Sequence, residues 1–397
     1  MIPVQPTRDT HAPPAVPPFA LWNLGFRPFC LAASLFAAVS VPLWVAQYAG
    51  YVTFAYVRSP VWHGSEMLLG YALAVVAGFL FTAVRNWTGQ PTPSGRALAA
   101  LVALWLAGRV LVVTPYALAA AVVNAAFPLA VAIGIGVPLV RAGNKRNYFF
   151  IALLVVLGVA SLMLHLSALS ALPWPELPTL RVVLDLLLLI MVVMSGRVIP
   201  MFTNNGVPGT NARRDPLIEK VALAGVLLLG ILDAVQAPDV IVIAVTAALA
   251  LVHGIRLALW QPWRTLRTPL VWILHASYAW IVVHLALRAL AAAGWVPEPI
   301  AIHALTIGGI GGLTLGMMTR TARGHTGRPL AADPPDVACY VLVMLSALLR
   351  VAGALALPQH YVATVVASGI CWSAAFLVYF AAYAPYLARA RLDGKPG

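Results

Sequence analysis

Charge is what this chain has least of. Only 9% of its 397 residues are Asp, Glu, Lys or Arg, 61% are hydrophobic, and the mean hydropathy is +0.90. No soluble domain has so little charged surface, so the composition excludes a water-soluble globule and implies a polytopic membrane protein. Acid is scarcer than base, 12 Asp and Glu against 25 Lys and Arg, for a net charge of +13. There is no Lys/Arg-dense tail and no interleaving of basic with aromatic residues, which excludes a nucleic-acid partner. Cysteine is almost absent: Cys30, Cys339 and Cys371 all stand in apolar runs, and none forms CxxC or CxxCH. Disulfide frameworks and covalent c-type haem are therefore unsupported. Residues 1–18 are Pro-rich and lack the apolar core of a signal peptide.

What is abundant is apolar sequence in spans of bilayer length. Such runs fall at 27–49, 62–84, 97–114, 116–140, 147–168, 179–200, 217–235, 238–259, 269–293, 298–319, 335–357 and 361–388. The expectation is an all-α integral membrane protein of about twelve transmembrane helices. It comprises a disordered cytoplasmic arm over 1–26, one transmembrane domain over 27–388 and a cytoplasmic tail over 389–397. With both termini in the cytoplasm, twenty of the 25 Lys and Arg fall in or beside cytoplasmic segments. Arg58, Arg109, Arg181, Arg288 and Arg350 fall toward the outer side. This is the positive-inside pattern, and it places most basic residues, Arg256 and the arginines of 320–328 among them, in a topological role.

An internal repeat is legible. Arg85-Asn-Trp-Thr-Gly-Gln-Pro91 and Arg323-Gly-His-Thr-Gly-Arg-Pro329 share R-x-(W/H)-T-G-x-P, 238 positions apart (323 − 85). His63 with His303, Arg27 with Arg267 and Arg109 with Arg350 keep nearly the same offset. The pattern predicts related four-helix units over 27–140 and 269–388, with 147–259 as a more diverged third copy.

Ionisable groups inside a membrane are costly, so each is a candidate site residue. In the predicted topology His63, His165, His284 and His303 come from four helices and share one outer level. Neutral imidazole tolerates low dielectric and ligates iron, copper or zinc. These four are the candidate metal ligands for a haem, a copper site or both, against the alternative that they hydrogen-bond between helices. His275, flanked by Trp272 and Tyr278 at three-residue spacing, is either a second ligand pocket or an aromatic packing face. His253, His325 and His360 read as interface residues. Glu66, three residues after His63, could orient that ligand from behind, with Trp62 as a further supporting residue. Arg288, one turn after His284, could hold a haem propionate or an ion pair; Asp185 has Arg181 one turn earlier. Gly308, Gly312 and Gly316 form a stripe that suits a porphyrin plane or close helix packing.

Several stretches together resemble the NnrS family of membrane proteins linked to the bacterial nitric oxide response. They are Gly25-Phe-Arg-Pro-Phe29, Trp62-His-Gly-Ser-Glu-Met67, Asn86-Trp-Thr-Gly89, Gly196-Arg-Val-Ile-Pro-Met-Phe-Thr203, Pro269-Leu-Val-Trp-Ile-Leu-His275 and the whole of 303–330. The resemblance implies a twelve-helix bacterial inner-membrane protein containing non-covalent haem b and copper. It also implies nitric oxide, or a nitrosyl species, as ligand and protection from nitrosative stress as role. His63, His275 and His303 stand in the matching stretches. The family pattern WHAHEM carries a second histidine where this chain has Ser65, and a hydroxyl is a poor ligand for copper or haem iron. Copper content therefore stands in question.

Two alternatives compete with this expectation. Glu66, Asp185 and Asp233 would serve a proton-coupled secondary transporter. Three four-helix arcs with histidines toward one face are analogous to haem-copper oxidases and nitric oxide reductases, which would make the protein an NO-metabolising oxidoreductase. The adjacent histidine pair of those enzymes is absent.

Overall fold

A computed structural model describes residues 19–53, 57 and 59–394. Among these residues twelve long helices follow one another: α1 Phe26–Tyr48, α2 Pro60–Thr88, α3 Gly95–Leu111, α4 Ala117–Arg141, α5 Phe149–Ala168 and α6 Glu176–Gly206. The second half comprises α7 Pro216–Ala234, α8 Asp239–Leu259, α9 Pro269–Ala292, α10 Glu298–His325, α11 Pro334–Ala356 and α12 Tyr361–Ala388. Ten of them are long and apolar enough to cross a membrane; α3, at 17 residues, and α7 fall outside that group. Among the described residues there is no strand, only an isolated backbone bridge from Phe19 to Arg389.

The packing repeats every four helices. Within each four, the first packs on the second and the third on the fourth; between fours, α4 packs on α5, α8 on α9 and α12 on α1, closing a ring. The second helix of each four is central. The most apolar stretches of α2, α6 and α10 are 89%, 67% and 72% buried, against 56% or less in the other seven spans. Hydroxyls that would be orphaned there bond back to their own helices, as Thr203 Oγ1 does to Ile199 O at 2.8 Å. An apolar cavity of about 60 Å³ lies where the central helices meet, lined by Val76, Phe79, Met191, Ser195, Leu313 and Met317 among others.

The repeated R-x-(W/H)-T-G-x-P stretches are helix stops. Thr88 Oγ1 donates to Val84 O and Thr326 Oγ1 to Ala322 O, each at 2.6 Å. The glycine after each threonine takes a left-handed conformation, φ +66° at Gly89 and +74° at Gly327. The arm expected to be disordered over 1–26 lies outside the described residues as far as residue 18. Beyond that it is packed, with Ala20 and Leu24 buried and Ala20 N–H bonded to Ala388 O at 2.8 Å.

Candidate metal centre

α2 and α10 enter the bundle in the same way. Each opens on a short α-helical segment containing proline, Ser59–Ser65 and Glu298–His303. Each then widens into a π-helix, over Glu66–Ala72 and over Ala304–Gly311. His63 stands three residues before the first π stretch and His303 directly before the second. A third π stretch, Leu349–Gly353, carries Arg350. Such insertions rotate the following side chains off the α-helical register and occur often at functional sites.

His63, His303 and Arg350 lie within electrostatic reach of one another. The His63 ring stacks on Trp44, centroids 4.5 Å apart, and its Nδ1 is buried without a hydrogen-bond partner. His303 Nδ1 faces Pro299 O at 2.6 Å, so it carries the proton and leaves the Nε2 lone pair for other work. Arg350 is buried with Nη1 unpartnered, its guanidinium 5.6 Å from the Tyr361 ring.

The other two candidates sit apart from this pair. His284 Nδ1 donates to Ala301 O at 2.7 Å, and its Nε2 is buried and unpartnered. His165 is buried in the last turn of α5, within electrostatic reach of Arg109. All four histidines occupy one end of the bundle, yet they do not form one cluster. Among the described residues no three His, Cys, Asp or Glu gather closely enough to hold a metal ion.

Several expected partnerships are corrected. Glu66 pairs with Arg109, which also reaches Asn124, instead of backing His63. Gly70, on the π stretch, leaves the space that the Arg109 guanidinium fills. Asp185 pairs with Arg288 at 3.2 Å and not with Arg181, which bonds Glu298. Arg288 also bonds Asp233, so two carboxylates of this chain already compensate its charge, which makes it a poor partner for a propionate. The three carboxylates offered for proton coupling are thus all paired with arginine.

His275 turns both ring nitrogens toward oxygens of this chain. Nδ1 faces Val271 O at 3.1 Å, and Nε2 faces Trp260 O and Thr203 Oγ1, both at 3.3 Å. Its expected flanking pair splits: Trp272 packs edge-on against Tyr340, while Tyr278 packs on Trp260, 4.6 Å between centroids. Trp62, in the first turn of α2, is fully buried.

The glycine stripe of α10 is a packing surface. A methyl group on Gly308 would run into Trp280, one on Gly312 into Ser277, and one on Gly316 would meet Leu274 at 2.9 Å. Side chains of α9 therefore fill the groove that could have taken a porphyrin.

Two elements of the interior escaped sequence reasoning. Arg256, assigned a topological role, is buried and paired with Glu219 at 2.8 and 2.7 Å, and it donates to Tyr278 Oη at 2.8 Å. It crosses α6 at Gly196, where a Cβ would collide with its guanidinium. His253, read as an interface residue, is fully buried; Nδ1 bonds Tyr278 Oη at 2.5 Å and Nε2 is unpartnered. His325 is half-buried against Phe26 and His360 is exposed. The i, i+3 spacing of Arg256 from His253 was the available signal for that cluster.

The donor set suits iron or copper. Buried polar atoms without partners are rare in native structures and mark where something else binds. Here they include the imidazole nitrogens of His63 and His284. A carbonyl on the far nitrogen, as at His303 and His284, is how ligating histidines are commonly oriented. A porphyrin would not sit on the stripe or in the 60 Å³ cavity, which packed side chains fill or line; His63 and His303 stand away from both, at the heads of α2 and α10.

The model of a protein family described as NnrS protein matches residues 20–391. A search of curated proteins finds no match to the chain.

Proposed function

This chain belongs to the NnrS family, whose members are linked to the nitric oxide response, and on that premise we propose that it binds haem b, with copper as a second metal, to protect cells from nitric oxide. The proposed setting is the bacterial inner membrane, crossed twelve times, with both termini in the cytoplasm. The observation that carries the site is that His63 and His303, from corresponding helices and each at the head of a π-helical stretch, lie within electrostatic reach of each other and of Arg350.

Iron or copper bound by these imidazoles would offer nitric oxide a coordination position. The residues of this chain set the conditions for that. The Pro299 carbonyl fixes the His303 tautomer with Nε2 as the donor atom. Trp44 holds the His63 ring by stacking. Arg350 supplies a buried positive charge that favours an anionic ligand or a propionate beside the metal. Ser65, whose hydroxyl donates to Trp62 O at 3.0 Å, contributes no ligand.

The test is an absorption spectrum with iron and copper analysis on purified wild type, His63→Ala and His303→Ala. The wild type should show a Soret band that shifts when nitric oxide is added, and each variant should lose haem or show an altered band. Full haem content with unchanged spectra in both variants overturns the ligand assignment. A colourless, metal-free wild type overturns the function.

A further inference from the structure

At the end of the bundle opposite to His63, the basic stretch that closes α10 meets the first turn of α1 and the chain after α12. Arg27 is fully buried there, and no carboxylate among the described residues pairs with it. Its Nη1 donates to Leu387 O and Arg389 O at 2.8 and 2.7 Å, while Nε and Nη2 are buried with no acceptor. Arg328 and Arg391 lie within electrostatic reach, as His325 does of Arg27 and Arg391, and Arg391 Nη1 donates to His325 O at 3.2 Å. Arg328 rests on the Tyr386 ring at 3.7 Å with its Nη1 buried and unpartnered. The carboxylate that does reach the group, Asp393, is held by Arg391 through two hydrogen bonds of 2.8 and 2.6 Å.

Three guanidiniums and an imidazole thus share this end of the bundle, and among the described residues the one carboxylate bonded to any of them is that of Asp393, on Arg391. Arg256, Arg288 and Arg323 are similarly buried, and each has a carboxylate. An uncompensated buried cation is expensive, and like charges held together add to the cost. The chain offsets these costs through the two carbonyls on Arg27 and the Asp393 carboxylate on Arg391, while three buried N–H-bearing nitrogens on Arg27 and Arg328 go unused.

We propose that Arg27, Arg328 and Arg391 form a binding site for a phosphate-type oxyanion, and that its favoured source is the headgroup of an anionic phospholipid. Guanidinium forks match phosphate oxygens in geometry and charge. The site lies at the ends of membrane-spanning helices, where headgroups lie, and basic pockets between such helices bind them. Phe19, Leu330 and Leu392, 56%, 51% and 69% exposed, give neighbouring apolar surface for acyl chains. Free phosphate is the alternative source of the same chemistry. The proposal is independent of the metal reading, because it involves the other end of the bundle.

The experiment is thermal melting of the purified, delipidated full-length protein with phosphatidylglycerol, with phosphatidylcholine, or with inorganic phosphate at matched ionic strength. Phosphatidylglycerol should raise the melting temperature and phosphatidylcholine should not. In Arg328→Gln and Arg391→Gln the apparent affinity should fall about ten-fold or more. Arg96→Gln, at an exposed arginine of the same end, should leave it unchanged. Equal protection by inorganic phosphate, weakened by the same variants, assigns the site to the free anion. No protection by either ligand, or protection unaltered in Arg328→Gln and Arg391→Gln, overturns the proposal. Arg27→Gln is avoided as the primary probe because Nη1 ties the chain ends; the haem spectrum should not change in any of these variants.

Discussion

The Nδ1 of His284 donates to the Ala301 carbonyl, two residues before His303, and the other ring nitrogen of His284 is buried with nothing to bond. The link couples α9 to the segment that presents His303. His284→Ala should shift the visible spectrum less than His303→Ala does, and destabilise the protein by about 1 kcal/mol through the lost hydrogen bond. Spectra and melting curves of the two variants decide it; a larger spectral effect at His284 would make it the primary ligand.

His275 is the control among the candidate ligands, because both of its nitrogens are enclosed by oxygens of this chain. His275→Ala should keep full metal content and an unchanged spectrum while losing stability. Loss of haem in a folded His275→Ala protein, measured as iron per monomer, would contradict this.

The Glu66–Arg109 pair is buried on both sides, 3% and 8% exposed. Glu66→Gln strands a buried guanidinium and should cost roughly 3–5 kcal/mol. Replacing both, Glu66→Leu with Arg109→Met, should cost less than the single change. Denaturation of the three variants in detergent measures the difference, and a strictly additive double variant would show that the pair is not coupled.

Arg288 separates two functional expectations. Bonded to Asp185 and Asp233, it holds α6, α7 and α9 together. Arg288→Met should reduce stability by about 3–5 kcal/mol. The position of any Soret band in the protein that still folds should be unaltered, whereas a propionate ligand would move it.

On the glycine stripe, Gly308→Ala and Gly312→Ala should each cost about 1–3 kcal/mol by overpacking against Trp280 and Ser277. Gly324→Ala, whose nearest neighbour is Leu330 at 3.8 Å, should be neutral or slightly stabilising, as alanine favours a helix. Equal melting temperatures for all three would mean that the groove is not packed.

Much of the architecture is legible because bilayer thickness and hydropathy constrain helix length directly. The segment from 298 to 319 is a helix for that reason, and the shared T-G of Thr88-Gly89 and Thr326-Gly327 is a local stop signal that any reader can find. The ligand geometry is different in kind. Which carboxylate Arg288 chooses depends on the rotation of three helices, and α-helical spacing misleads where the backbone is π-helical. Glu66 begins such a stretch, so the i, i+3 relation to His63 did not predict its partner. Arg256 looked like a loop charge because it stands near the end of an apolar run. Only the tertiary placement of Glu219 and the gap at Gly196 turn it inward.

The backbone bridge between Phe19 and Arg389 brings the first and last described segments side by side. Joining the segments at Phe19 and Arg389 by a short linker and opening the chain elsewhere, for instance between α6 and α7, should therefore yield a circular permutant that still folds. For the ring of helices, the position of the first residue is a matter of where synthesis starts.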